Sequence, residues 1–285
     1  MLKRAMWSGW NWAAKRMARA YVAGPHLSDA LAVCRRIADR GFRTTVGYWD
    51  DGEEDPSAVA ETYRAALDAL QTAHLDAYLS VKLPALAYSR ELLERVLDKA
   101  RQTGRGIHFD SLGPETVDDT WQTIETIDSH GLRLGCTLPA RWARSPDDAL
   151  WAARRGLCVR VVKGQWEDLS RPRTDPRAGF LAVIDGLAGV ARQVSVATHD
   201  AELAEKALQR LEDRGTPRDL ELLYGLPARR SLSVAEKTGI AVRFYVPYGD
   251  AWLPYCLSQI RRRPRLIAWI ARDYVASAFG RGGPV

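Results

Sequence analysis

Three basic side chains lie at the ends of β-rich runs of the sequence, where they could bind an anion. Lys82 and Lys163 each end such a run, and Arg160 lies three residues before Lys163. Because strand side chains alternate, Arg160 and Lys163 reach one ligand only if one acts from inside the fold and the other from a loop. A buried cation needs an anionic partner, either a neighbouring acid such as Asp110 or Glu115 or a phosphate-bearing cofactor.

A polar turn favours the cofactor over the ion pair. Thr198, His199 and Asp200 follow another β-rich run, so that hydroxyl and imidazole groups join the cations at a separate strand end. Three cations and this turn together are typical of a site for a phosphate-bearing group.

The same residue types do not indicate a metal centre. No set of histidine and carboxylate side chains has the spacing of metal ligands, so we predict no metal. His108 alternates with Asp110 and is expected to face outward under a helix. The cysteines lie far apart without a CxxC pair, which excludes a zinc knuckle and a redox pair; they are Cys34, Cys136, Cys158 and Cys256.

Eight β-rich runs that alternate with helical patterns must position these residues. The runs are Arg43–Tyr48, Leu75–Lys82, Gly106–Asp110, Leu134–Leu138, Cys158–Lys163, Val194–Thr198, Leu220–Tyr224 and Val242–Tyr245. The helical patterns are Leu27–Arg40, Ser57–Thr72, Ser89–Thr103, Pro114–His130, Asp147–Arg155, Ala178–Arg192, Ala201–Arg214 and Pro227–Thr238. Eight such units in about 250 residues predict a closed (β/α)8 barrel, with its chemistry at the carboxyl ends of the strands. No GxGxxG motif follows a strand, which argues against a dinucleotide fold.

The composition is typical of a packed globular protein. The 285 residues are 46% hydrophobic and 27% charged, which excludes intrinsic disorder. No stretch approaches the roughly 18 apolar residues of a membrane span. The net charge of +6 is scattered, so we predict no nucleic-acid partner, and the tight basic cluster consists of Arg261, Arg262, Arg263 and Arg265.

The first 20 residues, MLKRAMWSGWNWAAKRMARA, form a basic and tryptophan-rich arm. The arm lacks the continuous apolar core of a secretory signal, so we predict a cytoplasmic protein. Its amphipathic pattern fits peripheral contact with a membrane surface, and it fits equally an arm that packs on its own barrel or on a second subunit. The packing interpretation is favoured. We divide the chain into this arm, residues 1–20, and a barrel, residues 21–285.

Six short motifs resemble those of the proline dehydrogenase family. They are YVAG near Tyr21, SVKL at Ser80, VRVVKG at Val159, ATHD at Ala197, LLYG at Leu222 and YVPYG at Tyr245. One such motif is weak evidence, but six in register from about residue 20 onward are strong evidence. The resemblance implies a single-domain, distorted (β/α)8 TIM barrel that binds FAD non-covalently, with an N-terminal helical arm and a C-terminal helix that closes over the substrate.

The resemblance also implies which residues bind FAD. They are Arg160, Lys163, Gly164, Trp166, Thr198 and His199. Arg160 and Lys163 correspond to residues that contact the isoalloxazine ring, and Thr198 and His199 to residues beside the phosphate and ribose. Next to the ring, Arg160 is expected to stabilise the reduced, anionic flavin.

The substrate pocket implied by the resemblance lies between the strand ends and the closing helix. Lys82 meets the substrate carboxylate and is held by Asp110, while Leu223 packs on the proline ring. Tyr245 and Tyr255 line the same pocket, although tyrosines at such positions are also common in a half-buried core. The implied catalytic group is therefore Arg160, Lys82, Asp110, Tyr245 and Tyr255, and no general base is assigned.

Two positions of the closing helix depart from the family's pattern. Three and four residues after the helix tyrosine the family has adjacent arginines that bind the proline carboxylate, whereas this chain has Ser258 and Gln259. The arginines at 261–263 do not substitute, because a shift of three residues rotates a side chain by about 300°. Serine and glutamine cannot replace the charge of a bidentate arginine. The pocket therefore favours a substrate whose carboxylate is absent or masked.

We predict an FAD-dependent oxidoreductase that oxidises a C–N bond of a proline-like or modified amine by hydride transfer to flavin N5. The first alternative is a genuine L-proline dehydrogenase that gives pyrroline-5-carboxylate, with the carboxylate held by Lys82 alone. The second is a non-catalytic barrel, with or without flavin. The small-molecule amine and the electron acceptor, whether quinone, oxygen or a carrier protein, are not specified by the sequence.

Overall fold

Eight parallel strands close into a barrel in the computed structural model, which describes residues 23–50, 52–169 and 175–249. The strands are β1 (Arg43–Tyr48), β2 (Ala77–Val81), β3 (Ile107–Phe109), β4 (Leu134–Pro139), β5 (Cys158–Val162), β6 (Gln193–Ala197), β7 (Arg218–Leu223) and β8 (Val242–Tyr248). Each strand pairs with the next one along the chain. The ring is closed between β8 and β1, where Arg43 lies opposite Arg243 and Tyr48 lies opposite Tyr248.

Helices connect the strands. They are α1 (Leu27–Ala38), α2 (Pro56–Thr72), α3 (Arg90–Thr103), α4 (Val117–Glu125), α5 (Ser145–Arg154), α6 (Pro176–Leu187), α7 (Ala201–Glu212) and α8 (Arg229–Thr238), with short 3-10 helices at Pro84–Leu86 and Pro114–Thr116. Among these described elements, none is a helix long and apolar enough to cross a membrane.

The helix ends follow from local sequence. The carboxylate of Asp55 accepts hydrogen bonds from the first turn of α2, and Asp175 does the same for α6. In both cases the next residue is a proline, whose missing N–H costs nothing at this position. Gly104 and Gly239 end α3 and α8 in the left-handed conformation.

The apolar core lies between the barrel and its helices. Val161 on β5, Val196 on β6 and Leu220 on β7 are fully buried. The alternate residues of the same strands face the barrel interior, and in the middle of each strand they are polar: Arg160 on β5, Ser195 on β6 and Glu221 on β7 are also buried. The barrel therefore has an apolar outer core and a charged interior.

The predicted (β/α)8 barrel is confirmed, with changes at the ends of elements. β8 continues to Tyr248, three residues beyond the predicted end, because its residues 243–248 pair with all six residues of β1. The expected end of a helix at His130 is wrong, since α4 ends at Glu125. The N-terminal arm, residues 1–20, and the closing helix with Tyr255, Ser258 and Gln259 lie outside the described residues.

The orientation expected for His108 is also wrong. This side chain is 3% exposed, its ring stacks on Tyr78, and its Nε2 lies 3.1 Å from the hydroxyl of Thr137. The Thr137 hydroxyl in turn accepts a hydrogen bond from Arg160, which reaches across the barrel. His108 therefore faces the interior, as does Asp110, because residues two apart on a strand share a face.

Candidate active site

A cavity of about 1960 Å³ opens at the carboxyl ends of the strands. Ten of the predicted site residues line it: Lys82, Asp110, Arg160, Lys163, Gly164, Trp166, Thr198, His199, Leu223 and Tyr245. They come from six different strands or the loops that follow them. Sites for drug-sized ligands occupy about 300–1,000 Å³, so this cavity has room for a dinucleotide-sized group and a small substrate.

Arg160 is the centre of the inner wall of this cavity. Its Nε and Nη2 donate to the two carboxylate oxygens of Glu221, at 2.8 and 2.9 Å, and its Nη1 donates to Asp110 at 2.8 Å. Nη1 also donates to Thr137 and Nη2 to Tyr78, at 3.2 and 3.3 Å. Burial opposes the charge, but the negative groups, Glu221 foremost, raise the pKa of Arg160 above its usual value. Every nitrogen of this guanidinium is therefore bonded to the protein.

Tyr245 completes this group of side chains. Its hydroxyl donates to Asp110 at 2.8 Å, and its ring lies 5.1 Å from the guanidinium carbon of Arg160. Burial and the charge of Asp110 raise the pKa of Tyr245, so the phenol stays protonated and acts as a donor. The tyrosine fits because residue 47 is a glycine; a Cβ there would lie 2.0 Å from its hydroxyl oxygen. We call Asp110, Arg160, Glu221 and Tyr245 the mouth cluster.

Lys82 lies directly after β2 and is paired with an unexpected acid. Its Nζ is 3.2 Å from Asp50, and it also donates to the backbone oxygen of Tyr48. Both side chains of the pair are 14% exposed. The expected pair of Lys82 with Asp110 is not formed, because Asp110 binds Arg160 and Tyr245 instead. Burial lowers the pKa of Lys82, although Asp50 and then Asp110 oppose this effect.

Lys163 meets the cavity from the loop after β5. It donates to Asp200 at 2.9 Å, and Arg177 donates to the same carboxylate. Burial raises the pKa of Asp200, but these hydrogen bonds and charges outweigh it and hold the pKa below the usual value. Arg160 lies inside the barrel and Lys163 in the loop after β5, and that both contact one ligand stays a prediction.

His199 lines the cavity, but both of its ring nitrogens are bonded to backbone. Nδ1 lies 3.0 Å from the oxygen of Pro227, and Nε2 accepts from the N–H of Leu223 at 2.9 Å. Burial lowers the pKa of His199 to about 4, so the ring is neutral. His199 thus joins the turn after β6 to the end of β7, and Leu223, which also lines the cavity, is held by that bond.

The loop after β5 depends on Gly164. This glycine has a φ of +87°, and a Cβ there would lie 2.8 Å from the Cβ of Pro139. The chain that follows is fixed by Trp142, whose Nε1 donates to the backbone oxygen of Trp166 at 2.9 Å. The side chain of Trp166 is 38% exposed and lies on the outer wall of the cavity.

A second buried ion pair lies deeper in the barrel, below the cavity. Arg243 and Asp219, which we call the floor cluster, are 2% and 1% exposed, and Nε of Arg243 is 3.5 Å from the carboxylate. Tyr78 separates the two arginines: its ring centre is 4.4 Å from the guanidinium carbon of Arg243 and 5.9 Å from that of Arg160. Burial raises the pKa of Asp219, with Arg243 opposing. The floor cluster does not line the cavity.

Sequence reasoning missed Glu221, and it did not assign Asp50 as the partner of Lys82. A signal for Glu221 existed in the run Asp219–Leu220–Glu221–Leu222, where the acids alternate with leucines in a predicted strand. Acids on the inward face of a buried strand need basic partners. Asp50 lies two residues after β1, where a barrel places its chemistry, but nothing in the sequence pairs it with Lys82.

The residues present fit FAD. At the outer end of the cavity, Arg230 lies in the first turn of α8 beside Arg229, and the N-cap Ala228 offers no side-chain oxygen to the helix. Two cations at an uncapped helix start favour a bound anion such as a diphosphate. The inner end of the cavity has the polar side chains of Asp110 and Arg160 and the aromatic ring of Tyr245, which suit the isoalloxazine ring of FAD. In the described ranges no cluster of three or more histidine, cysteine or acidic side chains could hold a metal ion.

Comparison with known proteins gives a consistent result. Proline dehydrogenase 1 of Bacillus subtilis subsp. natto is 26% identical over 273 residues, which cover 90% of this chain and 89% of the relative. Proline dehydrogenase 2 of Bacillus subtilis strain 168 is 19% identical over 275 residues, which cover 91% of this chain and 90% of that relative. No protein-family model matches the chain.

Solved structures of proline utilization A (PutA) have the same barrel. The protein from Bdellovibrio bacteriovorus superposes with a TM-score of 0.75 and 17% identity over 87% of this chain, and the one from Corynebacterium freiburgense with 0.70 and 19% over 93%. In both cases the match covers 33% of the longer PutA chain. At this identity the structures support the fold. Sequence similarity to proline dehydrogenases over nine tenths of the chain, together with this barrel, confirms the resemblance to the proline dehydrogenase family that the strand-end motifs indicated.

Proposed function

We propose that this protein is an FAD-dependent oxidoreductase that oxidises a C–N bond of a proline-like or modified amine. The named relatives are proline dehydrogenases, and the cavity has the size and donor groups that FAD requires. Thr198, His199 and the first turn of α8 would hold the phosphate side of the cofactor, and Lys163 and the mouth cluster would adjoin its ring. Bound FAD would supply the hydride acceptor.

The side chains of the cavity orient and screen the substrate. Leu223 and the ring of Tyr245 provide apolar surface for a small cyclic amine, and Asp110 fixes the tyrosine hydroxyl. These contacts hold the carbon next to the nitrogen toward the cofactor and exclude water from it. No described side chain at the mouth is a free base, because Asp110 and Glu221 are both bonded to Arg160. The substrate therefore enters as the neutral amine.

Our inference about the substrate depends on the acids with which the cations of the cavity are paired. Lys82 is paired with Asp50, Arg160 with Glu221 and Asp110, and Lys163 with Asp200. A substrate carboxylate that binds Lys82 has to share the ammonium with the backbone oxygen of Tyr48 and with Asp50, which already balances its charge. Ser258 and Gln259, outside the described residues, would add no charge. We infer a substrate whose carboxylate is absent or masked, as in an amide or a carrier-bound thioester.

L-proline stays the second candidate substrate, because the relatives that span the chain are named proline dehydrogenases. The two candidates are separated by anaerobic stopped-flow reduction of the bound flavin by L-proline, L-prolinamide and pyrrolidine. We expect the carboxylate-free amines to reduce the flavin faster and at lower concentration. Reduction by L-proline with a sub-millimolar half-saturation, faster than by both analogues, would establish plain proline dehydrogenase activity. A colourless protein that takes up no added FAD contradicts both candidates.

The N-terminal arm, residues 1–20, is proposed to pack on the barrel or on a second subunit in a cytoplasmic protein. Deletion of these residues is then expected to lower the melting temperature or change the oligomer size and to leave flavin content unchanged. Loss of co-sedimentation with anionic vesicles, without either change, would instead support peripheral membrane contact.

A further inference from the structure

Glu221 is a buried carboxylate to which the proposed function assigns no role. Its side chain is 2% exposed, and both oxygens are fully engaged. Oε1 accepts from Thr45 at 2.8 Å and from Nη2 of Arg160 at 2.9 Å. Oε2 accepts from Nε of Arg160 at 2.8 Å and from the hydroxyl of Tyr78 at 3.2 Å. Four donors, two from Arg160 and one each from Thr45 and Tyr78, therefore occupy the acceptor positions of this carboxylate.

We propose that Glu221 is a positioning residue that fixes the guanidinium plane of Arg160 and offsets its charge beside the bound flavin. This inference rests on the proposed function, because it concerns the flavin ring at the mouth cluster. The bidentate pair leaves the guanidinium one orientation. Since Asp110 and Thr137 take the remaining nitrogen, Arg160 has no N–H left for the cofactor. Arg160 therefore acts on the ring through its charge.

That charge is more than balanced by the two acids that touch it. Arg160 carries one positive charge, whereas Glu221 and Asp110 each carry one negative charge at 2.8 Å. The mouth cluster is therefore anionic as a unit, and it does not favour the anionic, reduced flavin as a lone arginine would. This differs from the role that the resemblance implies for Arg160. In this chain, Glu221 keeps the reduction potential of the flavin low.

The test is the midpoint potential of the bound flavin, measured by spectroelectrochemical titration of the purified holoprotein. Glu221→Gln keeps the shape and one acceptor but removes the negative charge. We expect it to raise the ratio of reduced to oxidised flavin at a fixed potential by about tenfold, which is about 30 mV for a two-electron couple. Glu221→Asp keeps the charge, and we expect the ratio to stay within about threefold of the wild type.

The matched control is Asp219→Asn. It removes an equally buried carboxylate from the same face of the same strand, but one that pairs with Arg243 and does not line the cavity. Its effect on the ratio is expected to be less than about threefold, because Tyr78 and the mouth cluster lie between. Equal shifts in Glu221→Gln and Asp219→Asn would overturn the inference and reduce Glu221 to a structural acid. An unchanged ratio in Glu221→Gln would overturn it as well.

A double variant keeps the inference testable if Glu221→Gln does not fold. Arg160→Gln combined with Glu221→Gln removes this ion pair as a whole and leaves the net charge of the mouth cluster unchanged, while Asp110 keeps its hydrogen bonds from Ser80 and Tyr245. We expect the ratio of reduced to oxidised flavin at a fixed potential to stay within about threefold of the wild type. A change of about tenfold or more would overturn the inference that the net charge of the cluster sets this ratio. A wild-type protein that binds no FAD would overturn the proposed function itself. A yellow wild type with the same potential as Glu221→Gln would overturn only the role of Glu221.

Discussion

The described part of the barrel interior contains two buried arginines, Arg160 and Arg243, that differ in how they are bonded. In the mouth cluster, every nitrogen of Arg160 has a protein partner, and two carboxylates share its charge. Arg243, in the floor cluster, has the buried Asp219 at 3.5 Å and the exposed Asp76 at 3.9 Å, and its Nε makes no hydrogen bond within the described chain. Its Nη1 instead donates to the backbone oxygen of Thr44 at 2.6 Å. Only the first arginine borders the cavity.

The difference shows how much organisation a site needs beyond the burial of a charge. Arg243 fills space and bonds to backbone, which is enough to close the bottom of the barrel. Arg160 is held from four strands through Tyr78, Asp110, Thr137 and Glu221. A side chain held from so many directions keeps one position when a ligand arrives, which is what preorganisation requires.

The largest expected effect is the loss of Arg160. Arg160→Met leaves Glu221 and Asp110 buried without their cation, and we expect the free energy of unfolding to fall by about 3–5 kcal/mol. Urea denaturation followed by circular dichroism measures it. The matched variant Arg243→Met is expected to cost about 1–3 kcal/mol. It costs less because Arg243 lies 3.5 Å from Asp219 with no hydrogen bond from its Nε, and Asp219 keeps a hydrogen bond from Gln193. Equal losses in the two variants would remove the distinction between the clusters.

A somewhat smaller effect is expected when the pH is lowered, because His199 at the cavity becomes protonated. Burial lowers the pKa of His199 to about 4 in the folded protein, against 6.5 in the unfolded chain. Between these values the unfolded state binds more protons, so the stability that His199 contributes is present above pH 6.5 and is lost as the pH falls to about 4. The loss is at most about 3 kcal/mol.

The control for this pH dependence is His199→Gln, which does not titrate. Burial also lowers the pKa of His108, so the wild type and the variant share that contribution. The difference between their pH profiles of unfolding therefore isolates His199. Parallel profiles from pH 7 to 4 would contradict the neutral, doubly bonded ring.

The sequence predicted the barrel better than the partners inside it. Eight β-rich runs separated by helical patterns are a local signal, and the motifs at their ends placed ten described residues on one cavity. Which acid meets which base is a non-local property. Arg160 and Glu221 are 61 residues apart and meet only because β5 and β7 belong to one closed ring. His108 is different: the i, i+2 rule already places it with Asp110, and the outward orientation expected for it misapplied that rule.

The smallest expected effect comes from freeing Lys82 of its paired acid at the cavity. Asp50→Asn removes the acid that neutralises Lys82 and keeps its shape. If the pairing of Lys82 is what disfavours a carboxylate, this variant gains one charge-assisted hydrogen bond to L-proline. The half-saturation for flavin reduction by L-proline is then expected to fall by about tenfold, or about 1.4 kcal/mol.

Two comparisons decide whether that gain comes from Lys82. L-Prolinamide has no carboxylate, so its half-saturation is expected to stay within about twofold in Asp50→Asn. Glu54→Gln changes another acid near β1, one that accepts from the hydroxyl of Tyr48 at 2.6 Å and does not line the cavity. We expect this variant to leave the half-saturation unchanged for both substrates. An equal gain for both substrates in Asp50→Asn would assign the effect to the general negative potential of the cavity. No gain for L-proline would mean that the pairing of Lys82 does not limit carboxylate binding, and the argument for a masked substrate would then depend on Ser258 and Gln259 alone.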